Sequence, residues 1–358
     1  MILIVIAFLS LMGLIILHEL GHFILAKKFG VKVEEFGIGY PPRIFGKKIG
    51  DTIYSLNLLP FGAFVKMPGE IGDKDNKNSF SHQAVWKRAI IAFGGVLSFW
   101  VIAAILFSIV FSIGAQVVVD DSQGGNIMNP KVQVAGISLD SPAEKAGLKV
   151  GDTIRKIEFN GALTEVSKVT DIQDFTNQHL GQELSLTIER GKETFFLKLT
   201  PRVSPPEGEG PVGISLVRTA IKSYPWYQAP WQGIVSTANM TVIIIQGYGQ
   251  AIKNVIIGVP SGVQMTGPIG IFQMLSQAGQ LGVAYFVQFV GMIAIYMAIF
   301  NFLPIPAVDG GKLMFLLIEA IRRKPIPEKV EQNITAVFFM ALLLLMVFVT
   351  VKDIIRIF

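Results

Sequence analysis

Two histidines four residues apart, with a glutamate beside the first, carry the clearest chemical signal in this sequence: His18-Glu19-Leu20-Gly21-His22. On a helix such residues share one face, so both imidazoles can reach a single metal ion. Glu19 is offset from them and can serve as general base to a water on that ion. The chain has no cysteine, which excludes disulfides and thiolate ligands, so a transition metal must be held by His, Asp or Glu. Two imidazoles leave a catalytic zinc one protein ligand short. The other histidines, His82 and His179, fall in polar segments. Asp309 is the better third ligand. It ends the run Asn301-Phe302-Leu303-Pro304-Ile305-Pro306-Ala307-Val308-Asp309, where the prolines break a helix and Gly310-Gly311 follow. Broken backbone at membrane depth is tolerated only where protein buries it or a wet cavity lies beside it. Asp309 could also cap a helix over 312–321.

The elements that must position these groups are apolar. Of 358 residues, 51% are hydrophobic and 16% charged, against about 25% charged in a typical soluble domain. The deficit comes from long uncharged stretches, which is the signature of a polytopic membrane protein. Residues 1–26 read as a first span. They lack a basic n-region and an A-x-A-like cleavage site, so they are not expected to be a signal peptide. Residues 88–114 read as a second span, 282–318 as a third with the Asn301–Gly310 run, and 333–352 as a fourth. Three ionisable groups clustered inside the first span would cost a few kcal/mol each, which favours a functional site over chance.

Basic residues concentrate in the connection 27–87 and around Arg322–Lys329. The positive-inside rule places both on the cytoplasmic side, with both termini and the segment 115–280 outside. The net charge of +5 is modest and reflects these loops, and no nucleic-acid partner is expected. The first and third spans then run in the same direction, and His18, His22 and Asp309 arrive at a similar depth nearer the cytoplasm. Residues 116–202 predict a small α+β domain. Strands are expected at 131–137 and 152–159, a short helix at 171–179, and a hairpin from 183–189 to 194–200 across Arg190-Gly191-Lys192-Glu193. A Pro-rich linker and an interfacial amphipathic helix are expected over 203–280, the helix at Trp226–Ile257.

At these residues the chain resembles the site-2 protease family of intramembrane zinc metalloproteases, of the bacterial regulator-of-sigma-E protease type. The two motifs that carry the resemblance are His18-Glu19-x-x-His22 and Asn301-x-x-Pro304-x-Pro306-x-x-Asp309-Gly310. The resemblance implies zinc on His18, His22 and Asp309, a catalytic Glu19, and a role for Asn301 in holding substrate. It also implies a membrane re-entrant β-hairpin after the first span. Glu35–Tyr40 and Tyr54–Val65 look like it, with an edge that can pair with an unwound substrate strand and Gly62 and Phe64 as candidate contacts. The run Ser141-Pro142-Ala143-Glu144-Lys145-Ala146-Gly147-Leu148-Lys149-Val150-Gly151-Asp152 resembles that of bacterial PDZ domains. One departure is in the second span. Many relatives carry G-P-x-x-N there, and this chain has Gly94-Gly95-Val96-Leu97-Ser98, so the role of that Asn does not transfer to Ser98.

The fold class expected is therefore four transmembrane helices, a re-entrant β-hairpin and one extracytoplasmic PDZ-like α+β domain in the bacterial inner membrane. The expected activity is hydrolysis of a peptide bond within the transmembrane segment of single-span proteins, an anti-sigma factor or remnant signal peptides being the candidate substrates. Two other classes compete. A proteolytically inactive PDZ-bearing scaffold would not require the metal-binding residues. A metal transporter would require polar residues through several spans, and the second and fourth have few.

Overall fold

The computed structural model describes residues 2–69, 79–122, 128–138, 140–191, 193–206, 208–258 and 266–357. The chain forms two compact units, one of Met1–Val110 with Tyr227–Phe358 and one of Phe111–Trp226. In the first unit, helix α1 covers Ile2–Lys28 and ends on Lys27 and Lys28, where the helix dipole favours cations. Its buried residues Ala7, Leu14, His18, His22 and Ala26 fall at helical spacing on one stripe. Ile2, Ile4, Val5, Ile6, Leu9, Leu17 and Ile24 are exposed, as suits lipid.

Strands β1 (Glu35–Ile49) and β2 (Thr52–Lys66) form a two-stranded sheet that folds over on itself. Glu35 is paired with both Ile53 and Lys66, and Ile38 with both Leu56 and Ala63, so residues 35–38 lie between two stretches of β2. One end of the sheet packs on Phe23 of α1 through Phe36 and Tyr54, with ring centroids 5.4 and 6.0 Å away. The other end places Phe61 edge-on to Phe8 at 6.3 Å. Phe8 and Phe23 are separated by about 22 Å of helix. The sheet therefore runs along α1.

Helix α2 (Val85–Ile113) packs closely on α1, because a Cβ at Gly21 would overlap the carbonyl of Gly94. Small residues at such crossings let apolar helices meet backbone to backbone, where dispersion and not the hydrophobic effect holds them together.

The second unit is α+β. It contains β3 (Ala115–Val118), β4 (Met128–Ile137), α3 (Pro142–Lys145), β5 (Thr153–Phe159), β6 (Ala162–Glu165), α4 (Val169–Gln178), β7 (Leu184–Arg190), β8 (Glu193–Leu199) and β9 (Ile214–Lys222). The sheet order is β3-β9-β4-β5-β7-β8, with β6 pairing β5. Val132, Val134, Ile154, Ile157, Ile172, Leu184, Leu186 and Ile188 form its core. The turn residue Lys192 lies outside the described residues. The unit continues past residue 202, where the sequence suggests a linker. Strand β9 comes back beyond the Pro-rich turn and satisfies the edges of β4 and β3. The PDZ-like run has a local job. Ser141 Oγ accepts from the Glu144 N–H and caps α3. Asp152, with a side chain only 1% exposed, pairs with Arg190 Nε at 2.6 Å and accepts from the Lys149 N–H at 2.8 Å.

The first unit resumes with α5 (Ala229–Ile256), α6 (Pro268–Leu281), α7 (Val283–Phe302), α8 (Asp309–Arg322) and α9 (Glu328–Ile357). Helix α5 lies along α2. Gly233 abuts Ala104 and Ser108, and Trp100 Nε1 donates to Thr241 Oγ1 at 3.2 Å. Tyr248 reaches Tyr296 of α7. Residues 259–265 of the segment in which an interfacial helix is expected lie outside the described residues. Asp353 of α9 is buried and accepts from the Gly270 N–H at 2.8 Å, satisfying an orphan donor at the start of α6. The expected third span divides into α7 and α8 at Leu303–Val308. Among the described residues four helices, α1, α2, α7 and α9, are long and apolar enough to cross a membrane.

Replacing Asp152 by Ala should strip Arg190 of its carboxylate and Lys149 of its acceptor. The second unit should lose about 1–3 kcal/mol, the range for leaving hydrogen-bonding groups without their partner. Hydrogen exchange of amides in β5 and β7 should speed up accordingly, while α1 and α7 amides should not change.

Candidate metal centre

His18 and His22 sit one turn apart on the buried stripe of α1. The His22 ring is fixed by a 2.9 Å contact from Nδ1 to the carbonyl of Ile91 in α2. A carbonyl can only accept, so Nδ1 carries the hydrogen and Nε2 presents its lone pair. The His18 ring is fixed differently, stacked on buried Phe99 at 4.6 Å and 15°.

Asp309 reaches both rings from the other side of the unit. Its Oδ2 lies 3.4 Å from His18 Nε2 and 3.3 Å from His22 Nε2. The local cause is the break after α7. Pro304 and Pro306 end the helix, and α8 restarts with Gly310 and Gly311 so close that a Cβ on either would overlap the carbonyls of Leu303 or Ile305. Asp309 is the first residue of α8, and Val308 is its N-cap, so the carboxylate is directed to the imidazoles and does not cap the helix. Ten residues on, Glu319 of α8 forms a two-pronged pair with Arg88 at the start of α2, at 2.5 and 3.1 Å. That pair sets the register of α8 against the helix that orients His22.

The donor set suits zinc. Two imidazole nitrogens and one carboxylate oxygen, all within 4.8 Å of one another, match its preference for N and O ligands. Ligands at about 2.0–2.1 Å from a tetrahedral ion stand about 3.3–3.4 Å apart, which is the separation found between Asp309 Oδ2 and each Nε2. Asp309 Oδ2 is buried with no hydrogen bond, a cost that an ion at this point removes. Three protein ligands leave a fourth position open, as in catalytic rather than structural sites.

Gly95 closes the wall of this cradle: a Cβ there would overlap His22 Nε2 and lie 2.7 Å from His18 Cε1. Glu19 is half-buried on the neighbouring face of α1 and acts electrostatically on His22 and on Tyr40. Asn301 donates to the Met297 carbonyl at 2.9 Å, within its own helix. Gly62 and Phe64 lie in β2, and both contact Tyr40. Phe64 is stacked on the Tyr40 ring, and a Cβ at Gly62 would come 2.9 Å from it. Sequence reasoning had no means of finding the Ile91 carbonyl, since a backbone group in an apolar helix has no distinguishing residue type. Gly95 was visible only as an unexplained Gly-Gly pair.

The chain is similar to known proteins along nearly its whole length. The model of Peptidase family M50 matches residues 6–345. A Clostridium perfringens protein, named provisionally as a zinc metalloprotease, is 35% identical over 355 residues, 98% of each chain. A protein of Clostridium acetobutylicum with the same provisional name is 32% identical over 352 residues, 98% of this chain and 97% of its own. The Regulator of sigma-W protease RasP of Bacillus subtilis is 28% identical over 429 residues, covering 99% of each chain.

Gly95→Ala should lower zinc affinity about 10- to 100-fold, the range for disturbing the groups that support a metal ligand. Gly13→Ala, in the same unit with open space around it, should have no effect. Metal analysis after dialysis against graded chelator reads both.

Proposed function

Because this chain belongs to peptidase family M50, and so is a membrane-embedded zinc metalloprotease of the site-2 protease type, we propose that it cuts single-span membrane proteins within their transmembrane segments, using His18, His22 and Asp309 as zinc ligands and Glu19 as base. The observation that carries this reading is the meeting of those three ligand side chains, with Glu19 beside them, among helices apolar enough for a bilayer. When bound, zinc supplies a Lewis acid that polarises the scissile carbonyl and acidifies the attacking water. Glu19 takes the proton of that water and returns it to the leaving amine. Ile91 and Phe99 hold the two imidazoles in orientation throughout.

Several finer assignments belong to the same proposal. The β1–β2 sheet enters the membrane beside α1, a reading supported by the Phe61–Phe8 contact and by exposed Leu58, Leu59 and Phe61 at that end. A helical substrate must unwind to expose its carbonyls, and an edge of the sheet compensates its broken hydrogen bonds. Asn301 helps to hold the unwound segment. The α+β unit is a PDZ-like domain on the extracytoplasmic face of the bacterial inner membrane and filters substrates by size. An anti-sigma factor is the first substrate class to try, since the RasP relative is named for sigma-factor regulation; remnant signal peptides are the second.

Purified wild type should cleave a labelled single-span substrate, lose that activity on chelation and regain it with zinc. Glu19→Gln should retain zinc yet cleave at least about 10²-fold more slowly, the usual scale of general acid–base catalysis. Equal cleavage by both proteins would remove Glu19 from the mechanism, and zinc binding without any cleavage would favour a scaffold.

The depth of the sheet has its own test, made clean by the absence of native cysteine. In membranes, Phe61→Cys should resist a water-soluble maleimide and Gly50→Cys should react. Equal labelling would place the whole sheet in water.

A further inference from the structure

We propose that the turn end of the β1–β2 sheet, from Arg43 to Leu56, docks on anionic phospholipid at the membrane surface where α1 ends. Lys27, Lys47 and Lys48 meet the phosphates there, and Ile44, Phe45, Ile49 and Leu56 enter the acyl chains next to them. The inference rests on the placement of the sheet along α1 and not on the cleavage reaction.

The register makes this end of the sheet a surface of its own. Residues 53–56 of β2 pair with 35–38 on one side and with 45–48 on the other, so residues 43–49 form an outer strand. Every residue of that strand is exposed. Ile44, Phe45 and Ile49 are 58–64% exposed, and Leu56, the cross-strand partner of Phe45, is 48% exposed. Lysines on an outer strand deter pairing with other chains, yet exposed Ile44, Phe45 and Ile49 in the same strand invite association in water. Both kinds of side chain are solvated together at one place, the boundary between lipid headgroups and acyl chains.

Helix α1 brings the strand to that boundary. It is long and apolar enough to cross a membrane, and it ends on Lys27 and Lys28. Lys27 Nζ lies 5.8 Å from the centre of the Phe23 ring, and that ring lies 6.0 Å from the ring of Tyr54. Tyr54 is the cross-strand partner of Lys47, so their side chains share one face of the sheet. Lys48 is paired with Ile53 on the opposite face, one residue closer to the turn at Gly50 and Asp51. The succession Lys27, Phe23, Tyr54, Lys47 therefore sets the lysines of the sheet level with the basic end of the helix.

The charge around this end is one-sided. Residues 27–66 hold seven basic side chains and three acidic ones. Two of the acids are engaged within the sheet region, Glu35 by Arg43 and Ser55 and Glu34 by Lys66. Lys27, Lys28, Lys32, Lys47 and Lys48 then face only Asp51. A soluble acidic partner would match these lysines alone. Anionic phospholipid matches the lysines and the apolar residues between them.

The full-length protein in nanodiscs of mixed phosphatidylcholine and phosphatidylglycerol provides the test. Photoactivatable analogues of the two lipids, reactive near the headgroup, serve as probes, and labelled residues are mapped by mass spectrometry. The phosphatidylglycerol probe should label residues 43–56 about 10-fold or more above the phosphatidylcholine probe, since each lysine near an anionic surface contributes about fivefold. Lys47→Gln combined with Lys48→Gln should reduce that preference to about twofold or less, and so should high salt, which screens exposed charges. Exposed, uncharged residues 337–348 of α9 should take both probes equally in both proteins. Equal labelling of 43–56 by the two probes, or a preference that survives the double substitution, would reduce this surface to ordinary lipid contact and overturn the proposal. Labelling by neither probe would place the surface in water or against another protein and overturn it as well. The readout needs no turnover, so a protein that fails to cleave counts against the proposed function alone. Maleimide labelling at Phe61→Cys reads the other end of the sheet, which tells a failure of depth from a failure of lipid recognition.

Discussion

Missing side chains at Gly21, Gly94 and Gly95 set how near α2 comes to α1, and the polar centre depends on that distance. At this approach the Ile91 carbonyl reaches His22 Nδ1 and Phe99 covers His18. A slightly wider gap would take the carbonyl from His22 and the stacked ring from His18, whose Nδ1 is buried without a hydrogen bond even at this approach. In a bilayer there is no water to take over that role, so an unsatisfied ring nitrogen has a cost of several kcal/mol. Close helix packing and metal binding are therefore one constraint here. It also accounts for the Gly-Gly pair in α2, which places no bulk between the backbone and the two rings.

The third ligand is delivered by the opposite device, a helix that stops. Between Phe302 and Asp309 the chain gives up regular hydrogen bonding, and Gly310 and Gly311 fold the restart of α8 tightly against the carbonyls it leaves behind. The Arg88–Glu319 pair fastens the far part of α8 to α2. A break in the membrane phase is expensive unless protein surrounds it, and α7, the most buried of the four apolar helices, is where the break occurs. The centre thus draws on three helices, two packed by small residues and one interrupted by proline.

The folded-over sheet beside α1 supplies what helices cannot, an edge of extended backbone along that helix. Part of its polar interior is satisfied locally, Asn57 Oδ1 being buried without a partner. Arg43 and Ser55 both donate to Glu35, and Asn57 holds the backbone before Tyr40. The same network fixes the backbone that leads into Tyr40.

What the sequence determined by itself follows from local rules. The His18–His22 spacing places two imidazoles on one helix face whatever surrounds them, uncharged length yields four long apolar helices, and alternation with turn residues yields β5, β7 and β8. The Asn301–Gly310 run marks Asp309 because a carboxylate after a Pro-broken apolar helix is costly without a partner. Tertiary structure alone decided the rest. Strand β9 joins the α+β unit only because β3 and β4 offer edges far away in sequence, and α5 lies lengthwise because α2 offers Ala104 and Ser108 opposite Gly233. The seat of Tyr40 is assembled from Asn57, Gly62 and Phe64 across a fold in the sheet. In each case the deciding group is a backbone atom, an absent side chain or a neighbour many residues distant, and none of these imposes a periodicity or a motif on the segment it acts upon.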